Sequence, residues 1–189
     1  MKRLYRLSLI ALLLGGFWQL GGGIYIEAKA WLAQVLLQEA WLESRAGGGW
    51  IRPWPWADTW PVARLRVDRL GVDQVVLSGA SGRTLAFGPG HINGTAIPGR
   101  DGNSVISGHR DTHFRFLQYL QQDDVIELQL ADGGSLRYAV MHLSVYSEQE
   151  LWLLDQTFSR LTLITCFPFD ALLPGGEERY VVIAEPVLI

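Results

Sequence analysis

The sequence predicts an all-β domain, a barrel or sandwich with antiparallel strands, set behind an N-terminal transmembrane helix. Three observations carry this reading. Residues 7–26 form a 20-residue run without a charge. A helix rising about 1.5 Å per residue needs roughly 20 apolar residues to cross the hydrocarbon of a bilayer. From Pro61 onward, short apolar segments alternate with Gly-rich turns, which is the pattern of many short strands. In that region only residues 113–120 and 148–154 read as helical, and both are short.

Composition narrows the classes. Of 189 residues, 49% are hydrophobic and 19% charged, enough apolar surface for a packed core and too much for a disordered chain. A single Cys excludes an internal disulfide and a multi-cysteine zinc site. The net charge of -3 leaves no basic footprint for nucleic acid. Lys2, Arg3 and Arg6 precede the apolar run. By the positive-inside rule they hold the N-terminus in the cytoplasm and send the domain across. Ala28-Lys29-Ala30 has the small-x-small form of a signal-peptide cleavage site. The most apolar stretch ends at Leu14, well upstream of it, which favours an uncleaved anchor. The expected organisation is a cytoplasmic tail (1–6), an anchor (7–26), a helix and Trp/Pro-rich arm (27–60) and a β-barrel domain (61–189).

Each element follows in order. In residues 27–44, Trp31, Val35, Leu36, Trp41 and Leu42 recur near helical spacing. Gly47-Gly48-Gly49 interrupts the pattern, and Trp50, Pro53, Trp54, Pro55, Trp56, Trp60 and Pro61 follow. Buried rings clamping the arm to the domain, a belt at the lipid headgroups and an aromatic ligand site all fit this composition. Residues 62–67 alternate apolar and polar, as a half-buried strand does. Residues 74–77, 84–87 and 104–107 are further candidate strands. Residues 125–130 and 135–145 flank Ala131-Asp132-Gly133-Gly134, a hairpin signal. Residues 161–166 and 179–185 complete the set.

The chemistry centres on Cys166, which ends the run Leu161-Thr162-Leu163-Ile164-Thr165. Pro168 cannot donate to a ladder, so the strand stops there and the thiol sits beside a loop. A buried, inert thiol is the plain alternative; as a thiolate, Cys166 would be a strong nucleophile. A thiol needs a proton partner, and histidine titrates near neutrality. Among His91, His109, His113 and His142, His109 stands at a strand end in Ser107-Gly108-His109-Arg110-Asp111. His91 reads as a turn residue, His113 as a cap or surface residue and His142 as a mid-strand residue. Arg179 opens the last strand after Pro174-Gly175-Gly176. That strand is expected to run antiparallel to the one carrying Cys166. A fixed guanidinium suits an oxyanion.

Thr162-Leu163-Ile164-Thr165-Cys166, Ser107-Gly108-His109-Arg110 and Glu178-Arg179-Tyr180 together resemble the three signatures of the sortase family, in the same order. The resemblance spans residues 61–187 and the N-terminal anchor. With the Trp-Pro-Trp arm, it is most similar to the Gram-negative, marine proteobacterial subgroup. It implies a closed eight-stranded β-barrel with short helices, outside the inner (cytoplasmic) membrane on the periplasmic side. It also implies cysteine transpeptidation of a secreted protein with an LPxTG-like C-terminal sorting signal, passed to an amine acceptor or water. Cys166 would then be the nucleophile, His109 the proton carrier and Arg179 the oxyanion or substrate-positioning residue. Thr165, Phe167, Phe169 and Leu172 become candidates for substrate contact. Asp111 could orient His109 or Arg110. Asp123, Asp124 and Glu127 are a candidate acidic cluster for calcium, but they lack an oxygen-ligand pattern. No metal and no cofactor are expected. An L,D-transpeptidase would need a Ser-x-Gly-Cys-Arg-type segment, which Thr165-Cys166-Phe167-Pro168 does not match. A papain-like protease would place its Cys on an early helix. An anchored, non-catalytic barrel would leave Cys166 inert.

Overall fold

The computed structural model describes residues 2–149, 157–171 and 175–187. The expected helix over 148–154 falls almost wholly outside these. Contacts divide the chain into two units, Met1–Leu36 and Leu37–Ile189.

The first unit is the larger part of helix α1, Lys2–Glu43. Among the described residues no helix is long and apolar enough to cross a membrane. Most side chains between residues 7 and 20 lie outside the described set.

The second unit begins with the last turns of α1. Leu37 and Trp41 are buried there against Val75 and Leu77, with Trp54, Phe87 and Ala131 packed around them. A π-helical turn, Ser44–Gly48, follows, and Gly47 takes a φ of 94° that breaks the helix. The arm is then tied down. Thr59 Oγ1 donates to Ser78 O at 2.7 Å. Trp54 meets Phe87 edge-on at 5.1 Å, and Trp60 packs on the barrel core. Trp50 and Trp56 stay exposed. The aromatic arm is therefore half clamp and half surface.

The barrel has eight strands: β1 (Pro61–Val67), β2 (Val72–Ser78), β3 (Gly90–His91), β4 (Asn103–Ser107), β5 (Val125–Leu130), β6 (Ser135–Ser147), β7 (Arg160–Cys166) and β8 (Glu178–Pro186). They close in the order β1-β2-β3-β4-β7-β8-β6-β5. The alternation expected at residues 62–67 is realised, with Leu65 and Val67 buried and Arg64 and Arg66 half-exposed. Leu65, Ile106, Leu128, Leu161, Leu163 and Val182 fill the interior. Truncating such a buried Leu to Ala costs about 2–5 kcal/mol. The 131–134 turn joins β5 to β6 as expected, with Gly133 at φ 91° and Gly134 N–H donating to Asp132.

Three expectations are corrected. Residues 84–87 do not form a strand. The short helix α2, Gly82–Leu85, takes their place, because Ser81 Oγ accepts from Thr84 N–H and caps it. His91 is not a turn residue: it lies in β3, is 5% exposed, and bonds through Nε2 to Ala96 O and Thr95 Oγ1. The sheet is also not wholly antiparallel, since β2–β3 and β4–β7 pair in parallel. In residues 113–120 the helix is a shorter 3₁₀ turn, Arg115–Tyr119.

Candidate active site

The parallel pairing of β4 and β7 positions the site. Ser107 is opposite Ile164. His109 and Cys166 each lie two residues past this last ladder pair, at the same end of two neighbouring strands. Two bonds hold the strands in step beyond the last ladder pair. Gly108 N–H donates to Ile164 O at 3.2 Å, and Thr165 Oγ1 donates to Gly108 O at 2.7 Å. Gly108 admits no side chain, because a Cβ would lie 2.6 Å from the buried ring of Phe114.

On the other side of β7, Cys166 is directly opposite Arg179 of β8 in an antiparallel pair. Directly opposed residues share a face, with Cβ atoms about 4.5–5.5 Å apart. Cys166 is therefore flanked by a strand end carrying His109 and a strand start carrying Arg179. The thiol is free and half-buried, and His109 is exposed.

Arg179 is held by three acceptors. Its Nη1 donates to Gly176 O at 2.7 Å and Glu178 O at 2.9 Å, and its Nη2 lies 2.8 Å from Glu148 Oε2. This clamp fixes a planar, partly exposed cation on the residue opposite Cys166. His113 lies near enough to His109 to feel its charge. Burial first, and then the charge of His109, lower the His113 pKa, against a bond to Ala86 O that raises it.

The remaining candidates separate cleanly. Thr165 is buried, and its hydroxyl serves Gly108. Phe167 stacks on Tyr180 at 6.3 Å, and Phe169 meets Tyr180 edge-on at 5.1 Å. Tyr180 is opposite Thr165, not Cys166, and Phe169 and Tyr180 pack on the barrel core, so this cluster caps the core. Leu172 lies outside the described residues. Asp111 accepts from Arg110 Nε at 3.0 Å. His142 is exposed at the β6 bulge and bonds Ser144. In the acidic cluster, Asp124 pairs with Arg69, whose hydrogen bonds lower its pKa, and Glu127 accepts from Ser135 and Gln129. Among the described residues no group of three or more His, Cys, Asp or Glu is placed to hold a metal. The sequence did not reveal the partnership of Glu148 with Arg179, nor that of Arg110 with the loop after Cys166.

A family model described as the sortase domain matches residues 65–187. The chain belongs to the sortase family. Sortases are cysteine transpeptidases, and the thiol of this sortase stands where β7 ends. Sortase D of Bacillus subtilis strain 168 is 26% identical over 125 residues, 65% of this chain and 62% of that protein. The chain thus spans less than two thirds of that relative's length. Among solved structures, sortase C-1 from Actinomyces oris is 32% identical, with a TM-score of 0.60 over 68% of this chain and 74% of that one. A Clostridium perfringens sortase D5 transpeptidase shares the fold at a TM-score of 0.66, covering 82% of this sortase and 98% of itself, at 24% identity.

Proposed function

We propose that this sortase is a membrane-anchored cysteine transpeptidase acting on secreted proteins with an LPxTG-like C-terminal signal. The observation that carries the reading is the pairing of Cys166 with Arg179 on one side of β7 and the parallel pairing of β7 with β4, whose end leads into His109, on the other. In the first step the Cys166 thiolate attacks the carbonyl carbon of the Thr-Gly bond. As the C–N bond breaks, His109 gives a proton to the leaving amine, and a thioester remains. In the second step His109 takes a proton from the incoming amine, or from water, as it attacks the thioester. The C–S bond breaks and the thiolate returns. Arg179 faces the oxygen that gains charge in both steps, where a fixed donor contributes several kcal/mol. Dividing one amide exchange into two acyl transfers lowers each barrier.

The uncharged run over 7–26 and the basic residues before it support an anchor with the N-terminus inside and the barrel on the periplasmic side of the inner membrane. The Trp-Pro-Trp arm supports a place in the Gram-negative subgroup. Phe167, which follows Cys166 directly and is half-buried, is the candidate apolar contact for the Leu-Pro part of the signal.

The test is to incubate the full chain with an LPxTG-type peptide and an amine, and to weigh the protein by mass spectrometry. A thioester adduct confined to Cys166, absent from Cys166→Ala and strongly reduced in His109→Ala, is expected. No adduct and no cleavage across several sorting sequences refutes the reading.

A further inference from the structure

We infer that Arg110 is a positioning residue that sets His109 against Cys166, an inference that rests on the transpeptidase reading above. Arg110 follows His109 directly, yet its side chain turns inward and is 3% exposed. Its guanidinium reaches across the chain to the loop that follows Cys166. Nη1 donates to Pro168 O at 2.7 Å, and Nη2 donates to Ala171 O at 3.0 Å. Nε donates to Asp111 at 3.0 Å. Ala171 N–H also donates to Pro168 O, so the two carbonyls belong to one turn, and Arg110 grips both ends of it.

The grip completes a frame. On its N-terminal side His109 is fixed through Gly108, which is bonded to Ile164 O and to the hydroxyl of Thr165. On its C-terminal side it is fixed through Arg110 to the 168–171 turn. Between Thr165 and Pro168 lies Cys166. The backbone of His109 is thus tied to the chain both before and after the nucleophile. The His109 carbonyl is itself used, accepting from Phe114 N–H at 3.0 Å. Only the imidazole is left to swing.

A planar fork is required for this task. Two carbonyls three residues apart in one turn are met by two N–H groups of one rigid plane, which a lysine ammonium does not offer in fixed geometry. A buried cation is also expensive to desolvate, and the carboxylate of Asp111 that pairs with Arg110 is itself exposed. An apolar residue would serve a purely structural joint at lower cost. The fork is explained if it sets an angle, since a displacement of about 1 Å near reacting groups can cost roughly 100-fold in rate.

The test compares full-chain wild type with Arg110→Lys and Arg110→Ala in single-turnover peptide cleavage and in steady-state transfer. Both variants are expected to lose at least tenfold in kcat, with KM within twofold. Millimolar methylguanidinium is expected to restore part of the Arg110→Ala rate, and methylammonium is not. If Arg110→Ala does not fold, the kcat and KM of Arg110→Lys decide. A folded Arg110→Lys with wild-type kcat, a loss carried by KM, or a loss in folded Arg110→Ala that methylguanidinium does not repair overturns the inference. A wild type that forms no thioester overturns the transpeptidase reading instead, so the two failures are distinct.

Discussion

Replacing Glu148 by Gln is expected to slow acyl transfer while leaving the fold intact. Glu148 Oε2 lies 2.8 Å from Arg179 Nη2, and the carboxylate is 61% exposed. Exposed ion pairs contribute about 0–1 kcal/mol to stability. For a chain of this size about 1 kcal/mol moves Tm by roughly 2–4 °C, so the variant should melt within that range of wild type. Its effect on rate has another origin. Arg179 keeps its bonds to Gly176 O and Glu178 O, both from Nη1, and loses its charged partner at Nη2. The guanidinium plane is then free to rock about its remaining anchor. A three- to tenfold fall in kcat is expected, about 0.7–1.4 kcal/mol, with KM unchanged. The carboxylate also subtracts from the field at the oxyanion, but an exposed charge is screened, so orientation outweighs it. Raising ionic strength from about 0.1 to 1 M shortens the Debye length from about 10 to 3 Å, and the gap between wild type and variant should narrow. Peptide cleavage followed by chromatography at both salt concentrations is the assay. A kcat that is unchanged or raised in Glu148→Gln would refute the reasoning, because neutralisation would then dominate positioning.

Other outcomes follow from the same geometry. Arg179→Lys should lose at least tenfold in kcat, about 1.4 kcal/mol, because an ammonium cannot engage three acceptors and face the thiol together; wild-type turnover removes Arg179 from the site. Gly108→Ala must displace the ring of Phe114, and overpacking of that kind costs about 1–3 kcal/mol, read as a lower denaturation midpoint. His91 and His113 have pKa values lowered from 6.5, chiefly by burial. Their unfolded forms therefore take up protons first, and the stability they contribute is full above pH 6.5 and is lost as pH falls below it. Thermal melts of His91→Gln should show a flatter decline over that window; a slope equal to wild type assigns the loss to other groups.

Most of the barrel was legible where strand period and turn chemistry agree. Residues 125–130 and the 131–134 turn were read to the residue, because alternation and a Gly-Gly turn leave one register. Residues 84–87 were not, since Thr-Leu-Ala-Phe suits either period, and the Ser81 cap that selects helix lies three residues before Thr84. β3 has two residues, too few to carry a period. What marks it is steric: a Cβ at Gly90 would sit 2.1 Å from Gly79 O. Parallel pairing was invisible because partners such as Ser107 and Ile164 are joined by no turn signal. In the site, Cys166, His109 and Arg179 each stand at a strand terminus, a position that sequence pattern does expose. The partnerships of Arg110 join residues 58 and 61 positions apart, and no local pattern encodes contacts of that span.

The parallel pairing of β4 with β7 has one more consequence. No hairpin links these strands, so β5 and β6 must be laid down between them before the two can meet. Contacts of such long sequence separation form late in folding, after loop closure has been met. A chain still emerging or unfolded thus carries an ordinary thiol, with no imidazole at its side. On the transpeptidase reading, the site is assembled only when the circle of strands shuts, so the closed barrel and not the nascent chain takes up the acyl group.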